Sequence, residues 1–303
     1  MRYADGLQAL IGHTPLVRLR HLGVPDEVGL FAKLELWNPG GSVKDRIGLS
    51  MLAEAEARGD LRPGGAVIEA TAGNTGIGIA VAALNRGYRV IFVVPTKFSA
   101  EKQQVLRALG AEVINTPRED GMLGAEAKAE ELVRTIPGAV TLKQFSNPAN
   151  PRAHYETTGP EIYHDLDGQV DYLVAGAGSG GTFSGVMRYL KERNPFIQGV
   201  LADPVGSIIG GGDHADYEIE GIGNDFIPLV MNLDLVDRVV KVTDDQALAG
   251  LRRLAAAEGI LAGTSSGAAL HAALEVASGL TRGNVVAILP DRGDRYLSKG
   301  IFG

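Results

Sequence analysis

Asp171-Tyr172-Leu173-Val174-Ala175-Gly176-Ala177-Gly178-Ser179-Gly180-Gly181-Thr182 opens as a continuous apolar run, breaks into glycines, and passes into a helix-compatible stretch from Phe183 to Arg193. A strand that shows no polar–apolar alternation is the kind buried on both faces, as in parallel sheets covered by helices. The glycines let backbone approach a ligand closely, and free amides at a helix N-terminus favour a phosphate. Gly176, Gly178 and Gly181 also satisfy the dinucleotide expression G-x-G-x-x-G, with Asp203 near the end of the next strand, where a ribose-binding acid is expected. The loop serves one phosphomonoester or a dinucleotide equally well, so its neighbours must decide.

The same strand–glycine–helix order recurs elsewhere. Phe31 to Leu36 reads as a strand and leads through Asn38-Pro39-Gly40-Gly41-Ser42-Val43-Lys44-Asp45-Arg46 into a helix. Near a helix start the macrodipole and desolvation both favour a neutral lysine, the form that makes a Schiff base; an ordinary surface lysine is the competing reading of Lys44. Ala66 to Ala70 leads into Thr71-Ala72-Gly73-Asn74-Thr75-Gly76, where glycines, hydroxyls and free amides can cradle a carboxylate, or can simply cap a helix. Gly263-Thr264-Ser265-Ser266-Gly267-Ala268-Ala269 is by itself a capping motif after the helix end at Glu258 and Gly259.

Between these motifs strand-like and helical runs alternate: Val90–Val94 then Ala100–Leu109, Ala111–Ile114 then Gly124–Ile136, Val140–Leu142 then His154–Leu166. Runs at Gly199–Ala202, Val236–Val242 and Asn284–Leu289 continue the series, with helices near Asp244–Ala257 and Ser266–Ala277. The alternation predicts a parallel α/β protein. With 303 residues, 45% of them hydrophobic, the chain can bury a large core and divide into two lobes. A net charge of −7 without a basic run argues against nucleic acid or an anionic membrane as a partner. No apolar stretch is of membrane-spanning length and MRYADGLQAL lacks signal-peptide character, so a cytoplasmic protein is expected. Zero cysteines exclude disulfides and thiolate metal sites, and the six histidines show no metal-ligand spacing, so no metal is expected.

Four motifs, in order, carry a resemblance: NPGGSVKDR around Lys44, TAGNTG at Thr71–Gly76, GSGGT at Gly178–Thr182 and GTSSGAA at Gly263–Ala269. The chain resembles the fold-type II pyridoxal phosphate enzymes of the cysteine synthase and cystathionine β-synthase family, from Ile11 to Ser298. The resemblance implies a tryptophan synthase β-like α/β fold of two parallel-sheet lobes with the active site in the cleft. It places a smaller, mobile substrate-binding lobe at 44–143 and a larger cofactor-binding lobe at 1–43 and 144–303.

By the same resemblance, Lys44 is the catalytic residue and carries pyridoxal 5′-phosphate, Asn74 meets the ring's phenolic oxygen, and Gly178, Ser179, Gly180, Gly181 and Thr182 bind the phosphate. Ser265 faces the pyridine nitrogen; a neutral hydroxyl does not hold that nitrogen protonated, which favours β-elimination over long-lived carbanion chemistry. Thr71, Ala72, Gly73, Asn74, Thr75 and Gln144 are expected to hold the amino-acid substrate, with Gly223 contributing from the Gly206–Gly223 loop at the site mouth. The commonest family pattern has serine where Ala72 stands, which bears on substrate preference.

The implied reaction is β-replacement on O-acetyl-L-serine or L-serine through a bound aminoacrylate. Lys97 to Gln103, TAGNTG, Asp203 to Ser207 and Tyr217 to Gly223 resemble the bacterial O-acetylserine-dependent cystathionine β-synthase branch, in which homocysteine gives L-cystathionine. Gln144 to Pro151 and Gly259 to Ala269 resemble cysteine synthase, which uses sulfide, so that is the alternative, and one enzyme can have both activities. More distant alternatives are a serine/threonine dehydratase on the same fold, an NAD-dependent oxidoreductase using Gly176, Gly178, Gly181 and Asp203, and a non-catalytic binding relative. A homodimer is implied, and a cleft that takes a carboxylate can also receive the C-terminal tail of serine acetyltransferase. With the sequence ending at Gly303, no C-terminal regulatory domain is expected, and no cysteine is present to ligate haem. Trp37 is expected in the core or lining the cleft, and Asp291, Arg292, Asp294 and Arg295 in a charged C-terminal turn.

Overall fold

The computed structural model describes residues 3–71, 73–96 and 100–303. In chain order the strands are β1 (Leu16–Arg18), β2 (Val28–Leu34), β3 (Ala66–Ala70), β4 (Arg89–Pro95), β5 (Glu112–Thr116), β6 (Ala139–Val140), β7 (Tyr172–Gly176), β8 (Gln198–Pro204), β9 (Arg238–Val242) and β10 (Gly283–Leu289). The helices are α1 (Lys44–Ala57), α2 (Asn74–Ala83), α3 (Ala100–Ala108), α4 (Gly121–Thr135), α5 (Ala149–Ala153), α6 (Gly159–Asp165), α7 (Gly181–Arg193), α8 (Asp244–Glu258) and α9 (Thr264–Ser278). Among the described residues, no helix is long and apolar enough to cross a membrane.

The chain forms two compact units, Met1–Ile11 with Lys44–Ala149, and Gly12–Val43 with Asn150–Gly303. The stretch 44–143 expected as the smaller lobe lies inside the first unit, which also includes the N-terminal segment and 144–149. That N-terminal segment is tied down by Gln8, whose side-chain amide donates to the carbonyls of Val81 and Leu84 at the end of α2, both at 3.1 Å.

The first unit is built on a four-stranded parallel sheet in the order β5-β4-β3-β6. Ala66 and Ile68 of β3 and Ile91 and Val93 of β4 share a core with Ala125 and Ala129 of α4, the small residues of α4 letting the helix lie close to the sheet. The second unit carries a six-stranded sheet ordered β1-β2-β10-β7-β8-β9. It is parallel except for the edge strand β1, which runs antiparallel to β2.

The continuous apolar character of β7 and β8 follows from burial on both faces. Val174, Val200 and Ala202 enter one core with Leu251 and Leu270, whereas Leu173, Ala175 and Leu201 enter another with Phe183 and Val186. Alternate residues therefore serve opposite faces, and none can be polar without cost. α8 starts with a reciprocal capping box between Thr243 and Gln246 and ends at Gly259 in the left-handed conformation, φ 69°.

Two local expectations differ from the structure. The helix expected from His154 to Leu166 starts five residues earlier, at Ala149, and contains a π-helical turn at His154–Thr158. There the Thr157 hydroxyl donates to the Ala153 carbonyl at 2.6 Å, a side-chain bond that competes with the regular ladder. Of the two places expected for Trp37, core or cleft wall, its 64% exposure in a 3-10 turn removes the core.

Lys33, in the middle of β2, is fully buried. Its ammonium donates to the Thr14 carbonyl at 2.6 Å and pairs with Glu161 at 3.0 Å and Asp165 at 3.2 Å, fastening α6 to the sheet. Removing one partner of a buried pair strands the others, so Lys33→Met is expected to cost about 3 kcal/mol in urea unfolding. Adding Glu161→Gln should recover part of that loss; a loss under about 1 kcal/mol for the single variant would show the pair to be solvated in effect.

Candidate active site

The residues expected at the site fall into two sets, one in each unit. Lys44, Thr71, Gly73, Asn74, Thr75 and Gln144 belong to the first. Lys44 is the first residue of α1 and Asn74 the first of α2. The two helices pack through glycines: a methyl group on Gly78 would overlap the Lys44 carbonyl, and one on Gly48 would overlap the Gly78 carbonyl. That close approach brings the two helix starts together. Thr75 is buried and its hydroxyl donates to Gln144 Oε1 at 2.8 Å, while Thr71 Oγ1 accepts from the Gly73 amide at 3.3 Å. Hydroxyl, side-chain amide and a helix N-terminus are the donor set that a carboxylate needs. Ala72 lies outside the described residues, as do Lys97 to Ser99 of the Lys97–Gln103 stretch.

The turn that delivers Lys44 is built in the second unit. Glu35 is fully buried and accepts from Thr14 Oγ1 at 2.7 Å and Asn38 Nδ2 at 2.9 Å; Asn38 Oδ1 accepts in turn from the Gly12 amide at 2.8 Å. Arg292 Nε donates to the Leu36 carbonyl at 3.0 Å, Arg295 donates to the Gly40 carbonyl, and the Val43 amide donates to Pro290 O at 2.8 Å. The C-terminal arginines thus brace the residues directly before Lys44.

The second set gathers at the start of α7. Gly178 to Thr182 cross from β7 into the helix, with Gly180 as the cap residue at φ 83°. Ser179 Oγ accepts from Asn150 Nδ2 at 2.9 Å, and Thr182 Oγ1 lies 3.1 Å from His154 Nε2, whose Nδ1 is 2.9 Å from Thr158 Oγ1. Asn150 and His154 are fully buried. Gly178 lies against the Gly221 carbonyl, Gly223 donates its amide to Ala177 O at 2.7 Å, and Asn224 Nδ2 donates to Gly178 O at 2.5 Å. A side chain begun at Gly221 would stand 3.9 Å from Ser265 Oγ, so the glycine loop, Ser265 and Gly223 are collected in one place. Ser265 is buried in the first turn of α9. Asp291, near that helix start, accepts from Tyr296 Oη at 2.5 Å; burial first, then this carboxylate, pushes the tyrosine's pKa far up.

The Gly206–Gly223 segment is irregular but tied. Glu218 and Ile219 amides donate to Asp244 Oδ1 at 2.9 and 3.0 Å, and the Glu220 amide to Thr264 Oγ1 at 2.9 Å. Asn150, His154 and Asn224 are positioning residues that the motifs did not single out. Asn147-Pro148-Ala149-Asn150-Pro151 offers a signal, because prolines flank an asparagine just before a stretch read as helical.

Asp203 tests the dinucleotide reading. It is fully buried at the end of β8, and Oδ2 accepts from Lys241 Nζ at 2.6 Å and the Gly210 amide at 3.0 Å. A carboxylate spent on a lysine and a loop amide is not presented to a ribose. The glycine loop is suited to a single phosphate: Gly178 and Gly180 let its backbone pack against Gly221 and Met231, Ser179 and Thr182 hydroxyls are oriented by buried partners, and the thirteen residues of α7 supply the dipole.

Residues 7–291 match the family described as pyridoxal-phosphate dependent enzyme. The O-acetylserine dependent cystathionine beta-synthase of Bacillus subtilis is 50% identical over 303 residues, covering 100% of this chain and 99% of that relative. A cysteine synthase of Helicobacter pylori is 47% identical over 300 residues, 98% of each chain. The crystal structure of an O-acetylserine dependent cystathionine beta-synthase from Helicobacter pylori superimposes with a TM-score of 0.94 at 46% identity, covering 100% of both chains.

Proposed function

Because the chain belongs to the pyridoxal-phosphate dependent enzyme family, we propose that it is an O-acetylserine-dependent cystathionine β-synthase, exchanging the β-acetoxy group of O-acetyl-L-serine for the thiol of homocysteine. What carries this reading is the agreement with the Bacillus subtilis relative along the whole chain. Sulfide as a second nucleophile is supported by the nearly equal likeness to a cysteine synthase.

Bound pyridoxal phosphate supplies the electron sink that acidifies the substrate's Cα–H and eases departure of its β-substituent. Gly178 to Thr182 hold the phosphate through amides and hydroxyls at the α7 N-terminus, with Asn150 and His154 fixing the hydroxyls of Ser179 and Thr182. Asn74 and Ser265 would hold the cofactor's ring, Ser265 with a neutral hydroxyl. Lys44 would hold the cofactor by its Nζ, and the same amine would take the substrate's Cα proton and later return it. Thr71, Gly73, Asn74, Thr75 and Gln144 bind the α-carboxylate and so orient Cα toward that base. The same reading takes the enzyme to work in the cytoplasm as a homodimer, and light scattering tests the dimer.

The test is a competition at the second half-reaction. Purified protein should show the visible absorption of a lysine-bound cofactor, lose it on adding O-acetyl-L-serine, and recover it faster with homocysteine than with sulfide. Faster recovery with sulfide would make cysteine synthesis the main activity. Recovery that needs no nucleophile would make the protein a dehydratase.

A further inference from the structure

Gln144 reaches Thr75 from a turn whose backbone is unfavourable. Lys143, immediately before it, has φ 51°, in the left-handed region that costs a residue with a Cβ about 1 kcal/mol or more. The Glu69 side chain holds the inner edge of this turn. Glu69, two residues before Thr71, accepts the Lys143 amide at 3.0 Å and the Leu142 amide on the same carboxylate oxygen. Successive amides converging beside a left-handed residue form a nest that attracts an anion, and here the anion belongs to the chain itself. The turn's outer edge is closed too: Ser146 and Asn147 amides donate to Lys143 O at 3.0 and 2.9 Å, and Asn147 Nδ2 donates to Leu142 O at 2.8 Å.

We propose that Glu69 is the positioning residue for the amino-acid substrate: its carboxylate holds the Leu142–Lys143 turn in the conformation that carries Gln144 to Thr75. It thereby sets how tightly the substrate's α-carboxylate is gripped. The inference rests on the reading of Thr75 and Gln144 as part of that grip. It accounts for a half-buried carboxylate that the reaction itself does not need.

The geometry has a pH consequence. Burial pushes the Glu69 carboxyl above the ordinary carboxylate range, opposed by the amides of Leu142 and Lys143, the Thr141 hydroxyl and the Lys143 ammonium. Glu126 and Glu130 of α4 line the same cavity of about 250 Å³, adding negative charge on that side. As pH falls through a raised pKa, Glu69 becomes neutral and its hold on the two amides weakens. The KM for O-acetyl-L-serine should therefore rise on the acidic side.

The experiment is steady-state kinetics of the cofactor-loaded enzyme with O-acetyl-L-serine and homocysteine. Glu69→Ala should raise the KM for O-acetyl-L-serine about tenfold, the equivalent of one hydrogen bond to a charged group, with the KM for homocysteine and the cofactor absorbance unchanged. Glu69→Gln, which keeps a carbonyl acceptor, should restore most of the affinity and abolish the acidic rise in KM. Glu69→Ala combined with Gln144→Ala should be no weaker than Gln144→Ala alone, because Glu69 acts through Gln144. Effects that multiply in the double variant, with Gln144→Ala itself impaired, would overturn this inference and leave the substrate grip standing. A Gln144→Ala enzyme with an unaltered KM for O-acetyl-L-serine would instead sink the grip, and this inference with it. Should Glu69→Ala fail to fold, the pH profile of Glu69→Gln decides: an acidic rise equal to the parent's overturns the proposal.

Discussion

Lys44→Ala is expected to lower turnover by about a thousandfold or more while leaving the protein folded and able to bind pyridoxal phosphate, because a positioned proton-transfer group contributes roughly 10²–10⁴ and the covalent hold is lost with it. The fold should tolerate the change. Alanine is the best helix former, and α1 is anchored by Ile47, Met51, Leu52 and Ala55, all buried and none dependent on the lysine head group. On the proposed reading, phosphate binding depends on Gly178 to Thr182, far along the chain. Lys44→Arg should not rescue, since a guanidinium stays protonated and cannot take the Cα proton. The check is turnover at saturating O-acetyl-L-serine and homocysteine, alongside the cofactor content of the variant after gel filtration. Activity within tenfold of the parent would remove Lys44 from the reaction.

Much of this was readable before any coordinates. The run Tyr172–Gly176 had to be a doubly buried strand, and its alternate residues do feed opposite cores. Helices expected after the glycine-rich turns begin at Lys44, Asn74 and Gly181, the last of them two residues before the expected start at Phe183, and the helix expected near Ser266–Ala277 spans Thr264–Ser278. What resisted reading was long-range. Three residues, Leu16 to Arg18, are too short to show a period, so the antiparallel edge strand left no trace. Asp203 could be a ribose acid until Lys241 and Gly210 were found to occupy it. Glu69 read as one polar position in an apolar strand, and its role depends on amides more than seventy residues away. His154 and Asn150 gain meaning only from Thr182 and Ser179, which sequence spacing does not connect to them. Such pairings are set by tertiary packing, which overrides local propensity and cannot be inferred from it.

Gly178→Ala is expected to weaken pyridoxal phosphate binding by about a hundredfold or more, the loss of roughly two hydrogen bonds to a charged group. The added methyl would overlap the Gly221 carbonyl oxygen, and that oxygen cannot easily retreat. Gly221 itself sits at φ 88°, the Glu220 amide is held by Thr264 Oγ1 at 2.9 Å, and Gly223 and Asn224 donate back to Ala177 O and Gly178 O. The strain must then be relieved on the other side, by moving Gly178 and the amides that follow it away from the phosphate. Gly279→Ala provides the contrast: that glycine has helical dihedrals, φ −87° and ψ −3°, and its nearest neighbour would be 3.5 Å from the new methyl. It should bind cofactor as the parent does. Equilibrium dialysis of the cofactor against the two apoproteins, with urea unfolding of each, separates a damaged cradle from a damaged fold. If Gly178→Ala retained parental affinity, the phosphate would have to be held elsewhere than at the start of α7, and the assignment of Ser179 and Thr182 would fall with it.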